Sequence, residues 1–115
     1  MGPREEKSQA LIGKATAFKN TPWCDQYERM ISGMMYNPFD HQLTEARFRA
    51  RRLLSKYNSA PISDEMTPEY LKADRDAILS QLLGSVGSNV YLEPPIFVDY
   101  GCNISVGDNF YANFQ

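Results

Sequence analysis

The sequence predicts one α+β domain, in which an N-terminal α-helical module is followed by the first turns of a parallel β-helix. Apolar residues recur at spacings of three and four in residues 21–89, and at a spacing of six from residue 90 onward. The 115 residues include 12 Lys or Arg and 14 Asp or Glu, for a net charge of −2. This length and charge fit a single small domain and exclude a multidomain enzyme.

Residues 1–20 form a polar N-terminal extension that we expect to be flexible or loosely helical. The extension lacks the apolar segment of a secretory signal peptide. The chain also has no apolar run that approaches the length of a membrane span. We therefore predict a cytoplasmic protein with no membrane partner.

Three helices are predicted within residues 21–89. The first begins at Thr21-Pro22, a hydroxyl N-cap followed by a proline, and ends at Asn37-Pro38. Its core face is Trp23, Tyr27, Met30, Ile31 and Met34. The second runs from about Leu43 to Tyr57 and has a basic outer face. Its apolar stripe is Leu43, Ala46, Ala50, Leu53, Leu54 and Tyr57.

The third helix starts at Thr67-Pro68-Glu69, which repeats the N-cap and proline signal with an acid in the first turn. Gly84 and Gly87 end it. Its apolar residues are Leu71, Ile78, Leu79 and Leu82.

Residues 90–115 show a period of six, which fits neither an ordinary strand nor an α-helix. The apolar phase is Leu92, Val98, Ile104 and Phe110, a second phase is Gly101 and Gly107, and a third is Asn103, Asn109 and Gln115. Such hexads are typical of a parallel β-helix, in which each short strand points one apolar side chain inward and each corner takes a small residue. A pair of ordinary strands with glycine turns is the alternative.

Residue counts exclude several kinds of site. Cys24 and Cys102 lie far apart, so the sequence indicates neither a disulfide framework nor a cysteine metal site. His41 is the single histidine, and we expect no metal site and no catalytic role for it. The arginines in residues 47–52 could suggest nucleic acid, but the isoelectric point is about 5.3, which favours a solvated helix face or the wall of a sugar site. We predict no nucleic-acid partner.

Two groups of motifs resemble the maltose and galactoside O-acetyltransferases over about residues 27–115. The helical group is Met30-Ile31-Ser32-Gly33, Tyr36-Asn37-Pro38-Phe39-Asp40, Arg47-x-Arg49-Ala50-Arg51 and Tyr57-Asn58. The strand group is Glu93-Pro94-Pro95, Asp99-Tyr100-Gly101, Asn103-Ile104 and the run from Gly107 to Phe114. The resemblance implies a left-handed parallel β-helix and a homotrimer with active sites between neighbouring subunits.

The resemblance also implies an activity. Members of this family transfer the acetyl group of acetyl-CoA to a sugar hydroxyl, and a histidine on a later coil is the general base. The sequence stops at Gln115, before the segment that would carry this histidine. We therefore assign no catalytic residue and expect the 115-residue chain alone to be inactive. Most of the acetyl-CoA contacts would also lie on later coils.

Five residues match the acceptor side of the family's site, and the resemblance assigns them to sugar binding: Asn113, Asp99, Tyr111, Arg47 and Asp40. An amide suits a reacting hydroxyl or an oxyanion, whereas carboxylate, phenol and guanidinium groups suit sugar hydroxyls. Each could instead be structural: Asp99 as a corner cap, Tyr111 as packing, Arg47 as a solvated arginine and Asn113 as part of an asparagine ladder. A second hypothesis is a non-catalytic module that docks on full-length homologues.

Overall fold

The computed structural model describes residues 2–113, in which helices precede short strands, as predicted. Met1, Phe114 and Gln115 lie outside the described residues. The elements are α1 (Gln9–Ala15), α2 (Asp25–Ile31), α3 (His41–Ser59), α4 (Pro68–Leu82), β1 (Ser85–Val86), β2 (Tyr91–Leu92), β3 (Ser105–Val106) and β4 (Tyr111–Ala112). Within residues 2–113, no helix is both long and apolar enough to cross a membrane.

The expected flexible extension contains α1 and is fastened to the helical module at both ends. The backbone N–H of Arg4 donates to the carbonyl of Gly33 (2.9 Å), and that of Ser8 donates to Oγ of the buried Ser32 (2.8 Å). At the other end, the Lys19 N–H donates to the carbonyl of Gly84 (3.1 Å). Residues 4–19 therefore connect α2 to the junction between α4 and β1.

The structure corrects both ends of the first predicted helix. The helix begins at Asp25 rather than at Thr21-Pro22, because Cys24 is the N-cap and its Sγ accepts from the Tyr27 N–H (3.4 Å). It ends at Ile31 rather than near Asn37, because Gly33 adopts the left-handed conformation that terminates helices (φ 79°).

The predicted helices that became α3 and α4 are confirmed. Asp40 caps α3, which extends two residues beyond each predicted end. Thr67 caps α4 through its side chain, as predicted from Thr67-Pro68. The two helices pack together around one buried cluster: Ala50, Leu53, Leu54, Tyr57, Ile78, Leu79, Leu82 and Leu83.

The strands form two parallel pairs, and each strand pairs with the one 20 residues later. Ser85 pairs with Ser105 and Val86 with Val106, while Tyr91 pairs with Tyr111 and Leu92 with Ala112. Three hexads would span 18 residues, so the spacing between paired strands is two residues longer than a strict period of six predicts. β1 also precedes residue 90, where we expected the strand region to begin.

Because paired strands lie two residues further apart than the period of six predicts, the apolar residues that point inward no longer follow this period. Leu92 and Val98 pack against the core as predicted, but Ile104 and Phe110 are exposed. Val106 occupies the inward position in place of Ile104. The phase changes at the turn that contains Gly101, which lies in the left-handed region (φ 80°) between β2 and β3.

The end of α3 is attached to this strand region by side-chain hydrogen bonds. The buried Tyr57 hydroxyl donates to the carbonyl of Leu92 (2.5 Å). The Asn58 amide bonds both backbone groups of Ile96, donating to its carbonyl (2.8 Å) and accepting from its N–H (2.9 Å). These bonds fix the strands relative to the helix that carries Arg47.

Candidate functional site

Arg47 lies on α3 and reaches across to the turn between β2 and β3. Its Nη1 donates to the Tyr100 hydroxyl oxygen (2.6 Å), and its Nη2 donates to Oγ1 of Thr44 one turn earlier (3.4 Å). The guanidinium carbon lies 5.7 Å from the centre of the Tyr100 ring. The arginine is half-buried, so these contacts hold it in one position rather than leaving it free in solvent.

Burial controls the ionisation of Tyr100. Loss of solvent raises the pKa of its phenol, while the hydrogen bond and positive charge of Arg47 act in the opposite direction. The phenol is therefore neutral near pH 7 and can donate its own proton while it accepts from Arg47. The neighbouring Asp99 is exposed to solvent. A guanidinium, a phenol and a carboxylate thus occur together on one surface.

Asp40 has a structural contact at the start of α3. Its Oδ2 accepts from the backbone N–H groups of Gln42 (3.0 Å) and Leu43 (3.4 Å), and from the Cys24 thiol (3.6 Å). Asp40 is half-buried. It precedes Arg47 by seven residues, which is two helical turns and places both on one side of α3.

Tyr111 and Asn113 lie on and just after β4, which belongs to the second parallel pair. Tyr111 faces solvent with 62% of its surface exposed and stands opposite Tyr91 in the register. Asn113 follows β4 and is exposed. Of the five predicted residues, the structure thus joins Arg47 to the residue beside Asp99, places Asp40 at the N-cap of the same helix, and places Tyr111 on β4 with Asn113 just after it.

Sequence reasoning missed Tyr100 as a member of this surface. Tyr100 lies in the motif Asp99-Tyr100-Gly101, and its position directly after Asp99 could have indicated it. The pairing with Arg47 depends on how α3 packs against the strand region, which no local pattern encodes.

A second cluster missed by the sequence lies beneath this turn. The fully buried Tyr27 hydroxyl donates to Oδ1 of Asn103 (2.6 Å), and the buried Cys102 thiol donates to the same oxygen (3.6 Å). Burial raises the pKa of Tyr27 to about 12 and also raises the pKa of the Cys102 thiol. Cys102 therefore stays a thiol at neutral pH and is a poor nucleophile. The cluster holds the turn in place.

A sequence profile described as the maltose acetyltransferase hexapeptide capping motif matches residues 29–87. The chain belongs to this maltose acetyltransferase family. The matched segment contains α3 and α4 completely and ends just after β1. Arg47 and Asp40 lie inside it, whereas Asp99, Tyr111 and Asn113 lie beyond it.

Relatives of this chain include proteins named as acetyltransferases. A putative acetyltransferase of Dictyostelium discoideum is 45% identical over 87 residues, covering 76% of this chain and 41% of the relative. The sophorolipid acetyltransferase of Starmerella bombicola is 38% identical, covering 100% of this chain and 46% of the relative. The galactoside O-acetyltransferase of Escherichia coli is 32% identical, covering 76% and 40%.

A solved structure has a similar fold. It is a galactoside acetyltransferase in complex with coenzyme A, with a TM-score of 0.65 and 30% sequence identity. The match covers 79% of this chain and 42% of that structure. The chain thus spans less than half the length of the relatives described here.

Proposed function

We propose that the whole protein is an acetyl-CoA-dependent O-acetyltransferase that acts on a sugar hydroxyl. The contact that carries this proposal is the hydrogen bond from Arg47 to Tyr100, which fixes a guanidinium against the residue that directly follows Asp99. Paired donors and acceptors of this kind suit the vicinal hydroxyls of a sugar. Acetyl-CoA supplies the acetyl group, as the coenzyme A in the related structure and the names of the relatives suggest.

The described residues would form the side of the site that binds the sugar acceptor, which we call the acceptor wall. Asp99 accepts hydrogen bonds from sugar hydroxyls, and Arg47 donates to them through the nitrogen hydrogens that Tyr100 and Thr44 leave available. Tyr111 adds a phenol. Asn113 supplies an amide to the reacting hydroxyl or to the oxyanion that forms when this hydroxyl attacks the thioester carbonyl. Asp40 keeps the start of α3 in place and lies on the same side of the helix.

The general base is a histidine in the family that this sequence resembles. His41 is exposed at the first position of α3 and we do not assign it this role. In our proposal the two parallel strand pairs begin a left-handed β-helix, and three copies of the protein assemble around it in the cytoplasm. The acceptor wall then lies against a neighbouring subunit.

A thiol-release assay tests the activity. The whole protein is incubated with acetyl-CoA and a panel of sugars, and free coenzyme A is measured. We expect Arg47→Gln to raise the acceptor KM by about tenfold, since a hydrogen bond to a charged group contributes roughly 1.5–3 kcal/mol. Arg51→Gln, on the exposed side of α3, serves as the matched control and should leave the KM unchanged. Equal KM values for both variants would contradict the assigned acceptor wall.

A second candidate function rests on the free sheet edges. Among residues 2–113, β3 pairs only with β1, and β4 only with β2. An unpaired edge is a template for another strand. We propose as the alternative that the chain docks through this edge on a full-length homologue without catalysis. Co-purification of the two chains supports this function, and their separate elution contradicts it.

A further inference from the structure

An open groove lies between residues 20–22 and α3, away from the contact of Arg47 with Tyr100. Its volume is about 440 Å³. The helix contributes Glu45, Arg49 and Arg52 to the wall, at spacings of three and four that place them on one face. We call this feature the α3 groove.

The arginines of the α3 groove are held by uncharged neighbours. Arg49 Nη2 donates to Oδ1 of Asn20 across the groove (3.4 Å), and the Arg52 guanidinium lies 4.6 Å from the centre of the Phe48 ring. Within residues 2–113, no basic residue of α3 forms an ion pair with a carboxylate. Two positioned guanidinium groups therefore lack a partner of opposite charge, in a protein whose net charge is −2.

The groove also offers unused polar groups. Thr21 also lines the groove, but its Oγ1 is buried and interacts with the Tyr27 phenol. His41 and Gln42 add further donors at one end. Glu45 supplies one acceptor in the same wall, which suits a hydroxyl of the ligand rather than its anionic group.

We propose that the α3 groove binds a phosphate monoester carried on a small molecule with hydroxyl groups. Guanidinium groups match the geometry of phosphate oxygens and lose little hydration when they bind. Arg49 and Arg52 contact the phosphate, while Glu45 contacts a hydroxyl on the rest of the ligand. The site does not depend on the acetyltransferase activity proposed above, because none of its residues belongs to the acceptor wall.

Two sources could supply this phosphate, and the probes separate them. One is a sugar phosphate, for which glucose 6-phosphate is the probe and glucose is the uncharged control. The other is the 3′-phosphate of coenzyme A, for which coenzyme A and dephospho-coenzyme A are the matched pair. Inorganic phosphate alone tests the shared chemistry. Sodium chloride at equal ionic strength measures the general salt effect.

The experiment is a two-dimensional ¹H–¹⁵N NMR titration of the chain with each probe. We expect saturable shifts in residues 20–22 and 41–52 with inorganic phosphate and glucose 6-phosphate, but not with glucose or sodium chloride. Arg52→Gln should weaken binding by about tenfold, as expected for loss of a charge-assisted contact. Arg51→Gln removes the same charge from the same helix outside the groove and should change the affinity less than twofold.

Arg52 is the first variant to test because it makes no hydrogen bond that the structure records, so its loss should leave the fold intact. Arg49→Lys is the second variant. It keeps the positive charge but removes the planar set of N–H donors of the guanidinium, so it should also weaken binding. Non-saturable shifts, shifts reproduced by sodium chloride, or equal losses for Arg51→Gln and Arg52→Gln would each overturn the proposal. Tighter binding of coenzyme A than of dephospho-coenzyme A supports it and identifies the cofactor as the source.

Discussion

Arg47 and Tyr100 are 53 positions apart in the sequence and are joined by a 2.6 Å hydrogen bond from Nη1 to the hydroxyl oxygen. The bond connects α3 to the turn between β2 and β3. The turn also carries Asp99, so the position of this carboxylate depends on how the helix packs. The acceptor wall proposed here is therefore assembled by tertiary contacts rather than by a continuous motif.

Tyr100→Phe removes the acceptor of the Arg47 hydrogen bond and keeps the ring. We expect the free energy of unfolding to fall by about 1 kcal/mol, because the guanidinium loses a half-buried partner. Urea unfolding followed by circular dichroism measures this change. A double-mutant cycle with Arg47→Gln should give a coupling energy of similar size.

The control for this substitution is Tyr70→Phe, which removes the same hydroxyl from a residue that is 62% exposed. Its effect on stability should stay within about 0.5 kcal/mol. A coupling energy near zero between positions 47 and 100 would show that the bond does not hold the two elements together in solution.

Alkaline pH should destabilise the fold through Tyr27 and Tyr57. Burial raises the pKa of each phenol to about 12, whereas an unfolded tyrosine titrates near 10. Between these values the unfolded state loses protons that the folded state retains, so the free energy of unfolding decreases as pH rises. The stabilisation is complete below about pH 10, and the decrease reaches roughly 1.4 kcal/mol per pH unit for each tyrosine.

Urea midpoints measured from pH 7 to pH 12 test this dependence. The double variant Tyr27→Phe with Tyr57→Phe should have lower stability at pH 7, because two buried hydrogen bonds are lost, but a shallower slope above pH 10. Each single variant should remove about half of the extra slope. An unchanged slope in the double variant would mean that other groups control alkaline unfolding.

The sequence predicted the helices well where local chemistry decides their ends. Thr67 and the following proline located the start of α4, because a hydroxyl cap and a fixed φ act within one turn. The same signal at Thr21-Pro22 did not start a helix, because Cys24 supplies the N-cap instead. Gly33 ended α2 early through a φ that sequence alone does not reveal.

The strand region was predictable in type but not in register. A period of six indicated short parallel strands, but it could not show that paired strands are 20 residues apart rather than 18. The candidate site was limited in the same way. The family resemblance proposed Arg47 and Asp99, whereas the contact of Tyr100 with Arg47 arises only through the packing of α3 against that turn.

Gly101→Ala and Gly107→Ala should differ strongly, although both glycines share one phase of the hexad pattern. Gly101 has a φ of 80°, and an added Cβ would overlap the carbonyl oxygen of Leu82 and lie 3.0 Å from its Cδ1. We expect Gly101→Ala to lower the free energy of unfolding by about 2 kcal/mol or more, through strain and displacement of Leu82. Urea unfolding of both variants gives the comparison.

Gly107 is the matched control for this substitution. An added Cβ there would meet nothing within 4 Å, and its φ lies outside the left-handed region. Its replacement by alanine should change stability by less than about 0.5 kcal/mol. Equal effects at the two positions would contradict the left-handed turn at Gly101.

Substitutions at Asn20 test how the N-terminal segment is attached to α4. Its side-chain amide donates to the carbonyls of Ser80 and Leu83, each at 3.3 Å, at the end of the helix where carbonyls lack partners. Asn20→Gly keeps the left-handed backbone and loses these bonds, so we expect a loss of about 1 kcal/mol. Asn20→Ala loses the same bonds and, unlike Asn20→Gly, keeps a β-carbon at a positive φ, which is strained.

The expected order of stability is therefore wild type, then Asn20→Gly, then Asn20→Ala, with the last two about 0.5–1 kcal/mol apart. This order is opposite to the usual one, because glycine normally destabilises a chain relative to alanine by adding freedom to the unfolded state. Urea unfolding of the three proteins decides between the two orders. An alanine variant as stable as the glycine variant would show that residue 20 does not hold a left-handed conformation in solution, and that the segment before α2 is attached to α4 by other contacts.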